Sequence, residues 1–122
     1  MNPLSATQNP YPLQDEPNWS RSEKAIARKV FDAALKRELE QVMLEAKQRA
    51  NQIKEPADVW ELEHYLTQRR KEIDRKYEFR LSRLTWVFGA LLSERRIREE
   101  ELRGLGEGKI KAIHSSARVF LG

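Results

Sequence analysis

Apolar residues recur at steps of three and four through Phe31, Leu35, Leu39, Val42, Ala46, Ala50 and Ile53, with charged and amide side chains between them. That period puts them on one continuous face of an α-helix. Ser20 stands at its start with Glu23 three residues on. At this spacing the hydroxyl caps the first turn and the carboxylate reaches back to the Ser20 amide. Pro56 disfavours helical backbone at Glu55, so the helix is predicted to stop near Lys54. A second helix opens at Pro56 or Asp58, with Glu61 three after Asp58 as a second capping box. Val59, Leu62, Leu66, Ile73, Tyr77, Leu84, Phe88 and Leu91 carry the same stepping to about residue 92. At about 1.5 Å per residue each rod spans roughly 50 Å, longer than a compact globule of this chain length is wide. Two such rods leave apolar surface uncovered, which predicts an antiparallel helical-bundle homodimer.

Beyond Leu92 the period breaks. A short helix through Glu99 to Arg103 is predicted to end at Gly104, and a last helix to carry Ile110, Ile113, Ala117 and Leu121 on one side. The expected fold is therefore all-α, one domain over residues 19–122. Two long helices form a body over about 20–92, and a small helical head follows over about 93–122. Residues 1–18 carry all the prolines but Pro56 and no period, which is the composition of a flexible extension. The run GLGEGK, Gly104 to Lys109, has glycines and a lysine but no preceding strand, the wrong glycine spacing, and Ile110 where a phosphate loop needs Ser or Thr. It reads as a helix-ending turn.

Charge sharpens this picture without redirecting it. Of 122 residues 34% are charged and 39% hydrophobic, with a net charge of +4 and a mean hydropathy of -0.77. Such values suit solvent-washed helices. Acids are mixed among the bases, as in Glu45 with Arg49, Glu72 with Lys76, Glu94 with Arg98 and Glu99 with Arg103, each acid four residues ahead of its base. The denser basic tract from Arg69 to Arg83 is diluted by Glu72, Asp74 and Glu78 and has no interleaved aromatic platform, so nucleic acid is not an expected partner. Cysteine is absent, the N-terminus lacks a signal-peptide pattern, and no segment is long and apolar enough to cross a bilayer. A cytoplasmic protein without membrane insertion is expected.

Catalytic chemistry finds little support. His64 and His114 are the two histidines, and no acidic cluster has metal-ligand spacing on one helical face. Glu63 and His64 are sequence neighbours, pointing about 100° apart on a helix, and cannot work on one another as acid and base. No enzyme activity, metal or cofactor is expected.

The stretch DVWELEHYLTQRRKEIDRKYEFRLSRLTWVFGALL, with EEELRGLGEGKIKAI after it and ALKRELEQVM before it, resembles the fluorescence recovery protein family of cyanobacteria over roughly Trp19 to Ile113. The resemblance implies an all-helical homodimer that binds photoactivated orange carotenoid protein, chiefly through that partner's C-terminal domain. It implies faster return of the partner to its resting form and relief of phycobilisome quenching. A site peripheral to the thylakoid or phycobilisome would follow in a cyanobacterium. Carried over residue by residue, partner contacts fall on Trp60, Glu63, His64, Tyr65, Arg70, Trp86 and Lys109, and dimer contacts on Met43, Trp60, Leu66 and Arg70.

The chain also departs from the family pattern. It reads WELEHYL, with Glu63 where a histidine is usual and His64 where an aspartate is usual, and Trp86 stands where phenylalanine is usual. The inversion turns the negative charge through about 100° around the helix. Two readings follow: a working member with a retuned interface, or a divergent relative that keeps the dimeric scaffold and serves another protein. A basic nucleic-acid binder is the third and weakest alternative.

Overall fold

The computed structural model describes residues 18–122. The expected extension over 1–18 therefore lies outside the described residues, apart from Asn18. All regular structure among the described residues is helical: α1 over Arg21–Asn51, α2 over Pro56–Lys76, α3 over Leu84–Ser93, a single 3-10 turn over Glu99–Leu102, and α4 over Glu107–Leu121.

Helix α1 begins as its capping box predicts. The Glu23 amide donates to Ser20 Oγ at 3.1 Å and the Ser20 amide to Glu23 Oε1 at 2.9 Å. It ends at Asn51, three residues before the expected stop. At α2 the cap differs from expectation: Glu55 is the N-cap and Asp58 its third residue. Asp58 Oδ2 accepts from the Lys54 and Glu55 amides at 2.8 and 3.2 Å. Pro56 can open the helix because its missing amide hydrogen is not needed there.

The second rod does not run through Leu92. It breaks after Lys76, and Tyr77 to Arg83 form an extended stretch and a turn although no Gly or Pro lies among them. Tertiary contacts override local propensity here. Tyr77 and Phe79 both set their edges on Phe31, with ring centroids 5.5 and 5.2 Å away. Residues two apart share a face only on extended chain, so a continuous helix could not deliver both rings. Arg28 also lies 3.8 Å over the Phe79 ring.

After the break, α3 packs against α4 and the N-terminal half of α1. The core holds Trp19, Ala27, Val30, Phe31 and Ala34 from the α1 end, Leu84, Val87, Phe88 and Leu91 from α3, and Ile97, Leu102, Leu105 and Ile113 behind them. The expected boundary between body and head near residue 93 thus cuts through this core. Of the face expected on α4, Ile113 and Ala117 are buried, but Leu121 is 71% exposed. Gly89 lets α3 and α4 approach: a Cβ there would stand 2.4 Å from Ser116 Cβ. Gly104 ends the 3-10 region at φ +102°, a left-handed conformation suited to glycine.

The core occupies one end of the molecule. On α2 the only buried residue is Ile73, and α1 has none beyond Glu38. The distal half of the α1–α2 hairpin therefore leaves Leu39, Met43, Leu44, Val59, Trp60 and Leu66 exposed.

Candidate functional site

The hairpin and the head are joined at one completely buried carboxylate, Glu38. Arg69 Nη2 of α2 lies 3.0 Å from Glu38 Oε2, Lys76 Nζ 2.9 Å from Oε1, and Arg96 Nε 3.1 Å from Oε1. Tyr77 donates its hydroxyl to the same oxygen at 2.8 Å. Arg96 reaches the cluster because Arg95 takes a left-handed turn at φ 61°, which closes α3 with an Arg96 amide bond to the Leu91 carbonyl at 2.8 Å. Burial by itself would raise the Glu38 carboxyl. The hydrogen bonds from Lys76, Tyr77 and Arg69 outweigh it and hold the group below the ordinary carboxylate range. Burial, and then the bond to Glu38, push the Tyr77 phenol up. Glu38 was not singled out from the sequence. Its signal was a carboxylate four residues after Ala34 and four before Val42, inside the apolar stripe.

The acids find other partners, two of them across elements and two along their own helix. None of the four expected helical pairs forms: Glu72 holds Arg69 at 2.6 Å, Glu94 holds Lys76 and Arg96 at 2.7 and 2.9 Å, Glu99 holds His114 at 2.6 Å, and Glu45 accepts from Gln41 at 3.0 Å. Glu94 and Glu99 found donors positioned by the tertiary fold, and an exposed helical pair is worth only a few tenths of a kcal/mol, about 0.3–0.5.

Six expected contact residues sit on the open hairpin. Met43 is 57% and Trp60 69% exposed, joined by Leu39, Val59 and Leu66. On α2, Val59, Glu63, Leu66 and Arg70 recur at helical steps and share one flank; Leu39, Met43, Ala46 and Ala50 do so on α1. The inward faces are fixed by Glu38 and Arg49 of α1 against Arg69 and Tyr65 of α2. With two right-handed helices antiparallel, both flanks open to the same side of the hairpin. Trp60 stands further round, on the outer edge of α2, about 80° from Arg70. His64 and Arg70 are exposed, and Glu63 accepts from Thr67 at 3.0 Å.

The remaining expected contacts are placed differently. Tyr65 faces inward under the Arg49 guanidinium at 3.9 Å, and its buried hydroxyl has no hydrogen-bond partner among the described residues. Lys109 is committed inside the head: Nζ lies 3.2 Å from Glu23 Oε1, donates to the Asn18 carbonyl at 3.1 Å, and sits 5.1 Å from the Trp19 ring. Glu23 itself accepts the Gly106 amide at 2.7 Å. Backbone bonds from Ser20 and Gly106, then Lys109, bring its carboxyl down from 4.5 to about 2. A carboxylate of the chain thus occupies the amide end of α4, where the GLGEGK turn leads in. Trp86 is exposed, its ring 4.6 Å from that of Phe120 near the far end of α4.

Among the described residues no group of three or more His, Asp or Glu is arranged to hold a metal ion, and no helix is long and apolar enough to cross a membrane. What the surfaces can do chemically is bind: exposed tryptophans, apolar flanks and arginines are anchors for protein contact.

Comparison with known proteins identifies relatives. The family described as photoprotection regulator fluorescence recovery protein matches residues 19–117. A fluorescence recovery protein from Synechocystis is 36% identical over 104 residues, 85% of this chain and 95% of the relative. The solved structure of the Fremyella diplosiphon fluorescence recovery protein superposes with a TM-score of 0.79 at 35% identity, covering 83% of this chain and 99% of that one. The Synechocystis structure gives a TM-score of 0.79 at 37% identity, covering 82% and 98%.

Proposed function

The chain belongs to the fluorescence recovery protein family, a family of photoprotection regulators, and from that premise we propose that it works as a homodimer that binds photoactivated orange carotenoid protein. Contact is chiefly with the partner's C-terminal domain. Binding the compact form more tightly than the open one draws the partner back to rest and relieves phycobilisome quenching. It is regulation by association, without covalent chemistry.

The observation that carries this reading is the uncovered hairpin. Leu39, Met43, Val59, Trp60 and Leu66 remain exposed although the head has a complete core. A second copy covers the flank of Met43, Leu66 and Arg70. In an antiparallel pairing of two α2 helices about a two-fold axis near Leu66, Glu63 of one chain comes opposite Arg70 of the other. The displaced acid thereby still finds an arginine. Trp60 and His64 at the outer edge, with Tyr65 beneath, and Trp86 on the head form the surface offered to the carotenoid protein. Lys109 supports that surface by holding the Trp19 turn in place.

Mixing the purified chain with photoactivated carotenoid protein and following recovery in the dark tests the proposal: recovery accelerates. No acceleration at molar excess refutes it and favours the second reading, a family member serving another protein. The specific feature behind that second reading is the Glu63–His64 order, which presents an exposed imidazole where relatives present a carboxylate.

A further inference from the structure

Between the C-terminal half of α2 and the α3–α4 pair lies a cleft of about 480 Å³. Its floor is the Glu38 cluster, where every carboxylate already has its cations: Glu38 holds Arg69, Lys76 and Arg96, Glu94 holds Lys76 and Arg96, and Glu72 holds Arg69. The mouth differs. Arg75 lines the cleft, is exposed, and takes part in no ion pair among the described residues. Arg83 has only Glu78 Oε1 at 3.6 Å, while the other oxygen of Glu78 lies 2.6 Å from Arg80. The charge left unneutralised at the mouth is positive.

One wall is aromatic, with Trp86 38% and Phe120 42% exposed and their rings stacked at a tilt. Phe120 lies beyond residues 19–117, the span the family matches, and stands seven residues after Ile113 at the edge of the α4 face that the sequence pattern marked. An apolar wall beside two available guanidiniums fits a ligand with a greasy anchor and carboxylates close to it. Glu72 and Glu78 on the same rim oppose a uniformly phosphorylated strand but leave room for discrete carboxylates.

We propose that this cleft docks an acidic peptide segment of a protein partner, with an apolar side chain against Trp86 and Phe120 and carboxylates on Arg75 and Arg83. The proposal rests on reading Trp86 as partner-facing and gives that contact its chemistry.

The probe is a fluorescein-labelled peptide with one central phenylalanine among aspartate and glutamate residues, followed by anisotropy on the full chain. Binding is expected at micromolar peptide and should weaken severalfold as salt is raised. Phe120→Ser and Arg75→Glu should each weaken it about tenfold, the loss of one anchor or of one charge contact with sign reversal. A peptide with lysines in place of the acids should not bind. Both altered positions are exposed; should Phe120→Ser lose helical circular dichroism, Arg75→Glu alone decides. No binding at millimolar peptide, or binding that both variants leave unchanged, overturns the proposal. So does displacement of the peptide by a single-stranded oligonucleotide. Peptide binding without accelerated dark recovery of the carotenoid protein leaves the cleft standing and removes the family role for this chain; accelerated recovery without peptide binding does the reverse.

Discussion

Glu38 of α1 sits where a single carboxylate is held at once by α2, by Tyr77 in the break after it and by Arg96 in the turn after α3, and its removal should show how much of the molecule depends on it. Glu38→Ala leaves Arg69, Lys76 and Arg96 without their shared anion and opens a buried gap. Breaking a buried ion pair from one side costs about 3–5 kcal/mol, so urea unfolding should report a loss of that order, with Arg96 and the α3–α4 unit loosened from α1. Glu23 makes a different prediction, in pH. Its carboxyl is held at about 2 in the fold against an ordinary 4.5, so the unfolded chain takes up the proton first. The associated stability is present above pH 4.5 and is lost as pH falls toward 2, about 3 kcal/mol in all. Glu23→Gln should flatten that part of the stability profile measured by chemical unfolding between pH 5 and pH 2.

At the level of elements, the beginnings of helices were legible and their continuity was not. Ser20 with Glu23, and Pro56 at the head of α2, act through neighbours in sequence, so the start of α1 and the place of the break before α2 could be read directly. The interruption at Tyr77 could not be, because Tyr-Glu-Phe-Arg-Leu-Ser-Arg contains no breaker and matches the helical period on both sides. What bends the chain is Phe31, far away in sequence, receiving Tyr77 and Phe79 together, and Glu38 receiving the Tyr77 hydroxyl. The resulting α3–α4 crossing is tight. Gly89→Ala would put a Cβ 2.4 Å from Ser116 Cβ and 2.9 Å from the Ala117 amide nitrogen. Both neighbours sit on a helix that cannot yield locally, so overpacking of about 1–3 kcal/mol is expected despite the better helix propensity of alanine. Thermal unfolding of the variant checks it.

The whole molecule is lopsided: a closed core at the head end and an open apolar flank along the hairpin. An exposed apolar flank of this kind marks a surface for association, and the proposed occupant is a second copy. Met43→Glu or Leu66→Glu should therefore shift the chain from dimer to monomer in sedimentation at micromolar concentration, while its helical circular dichroism and head-end stability stay close to those of the parent. A parent that sediments as a monomer removes the dimer proposal. Glu63→Arg should also weaken the dimer by setting like charges together, and the double change with Arg70→Glu should restore it if the two face each other across the two-fold.

The sequence by itself determined the helical class, the first capping box, the start of the second helix and the apolar flanks of the hairpin, because period, caps and proline act over a few residues. Its resemblance pointed to the family. Tertiary structure alone decided where the second rod bends, which bases the acids hold, that Lys109 is spent inside the head, and that Phe120 joins Trp86 beside a cationic cleft. Each of these depends on groups brought together from positions distant in the chain, and no local pattern encodes which of several chemically suitable partners the packed fold will deliver.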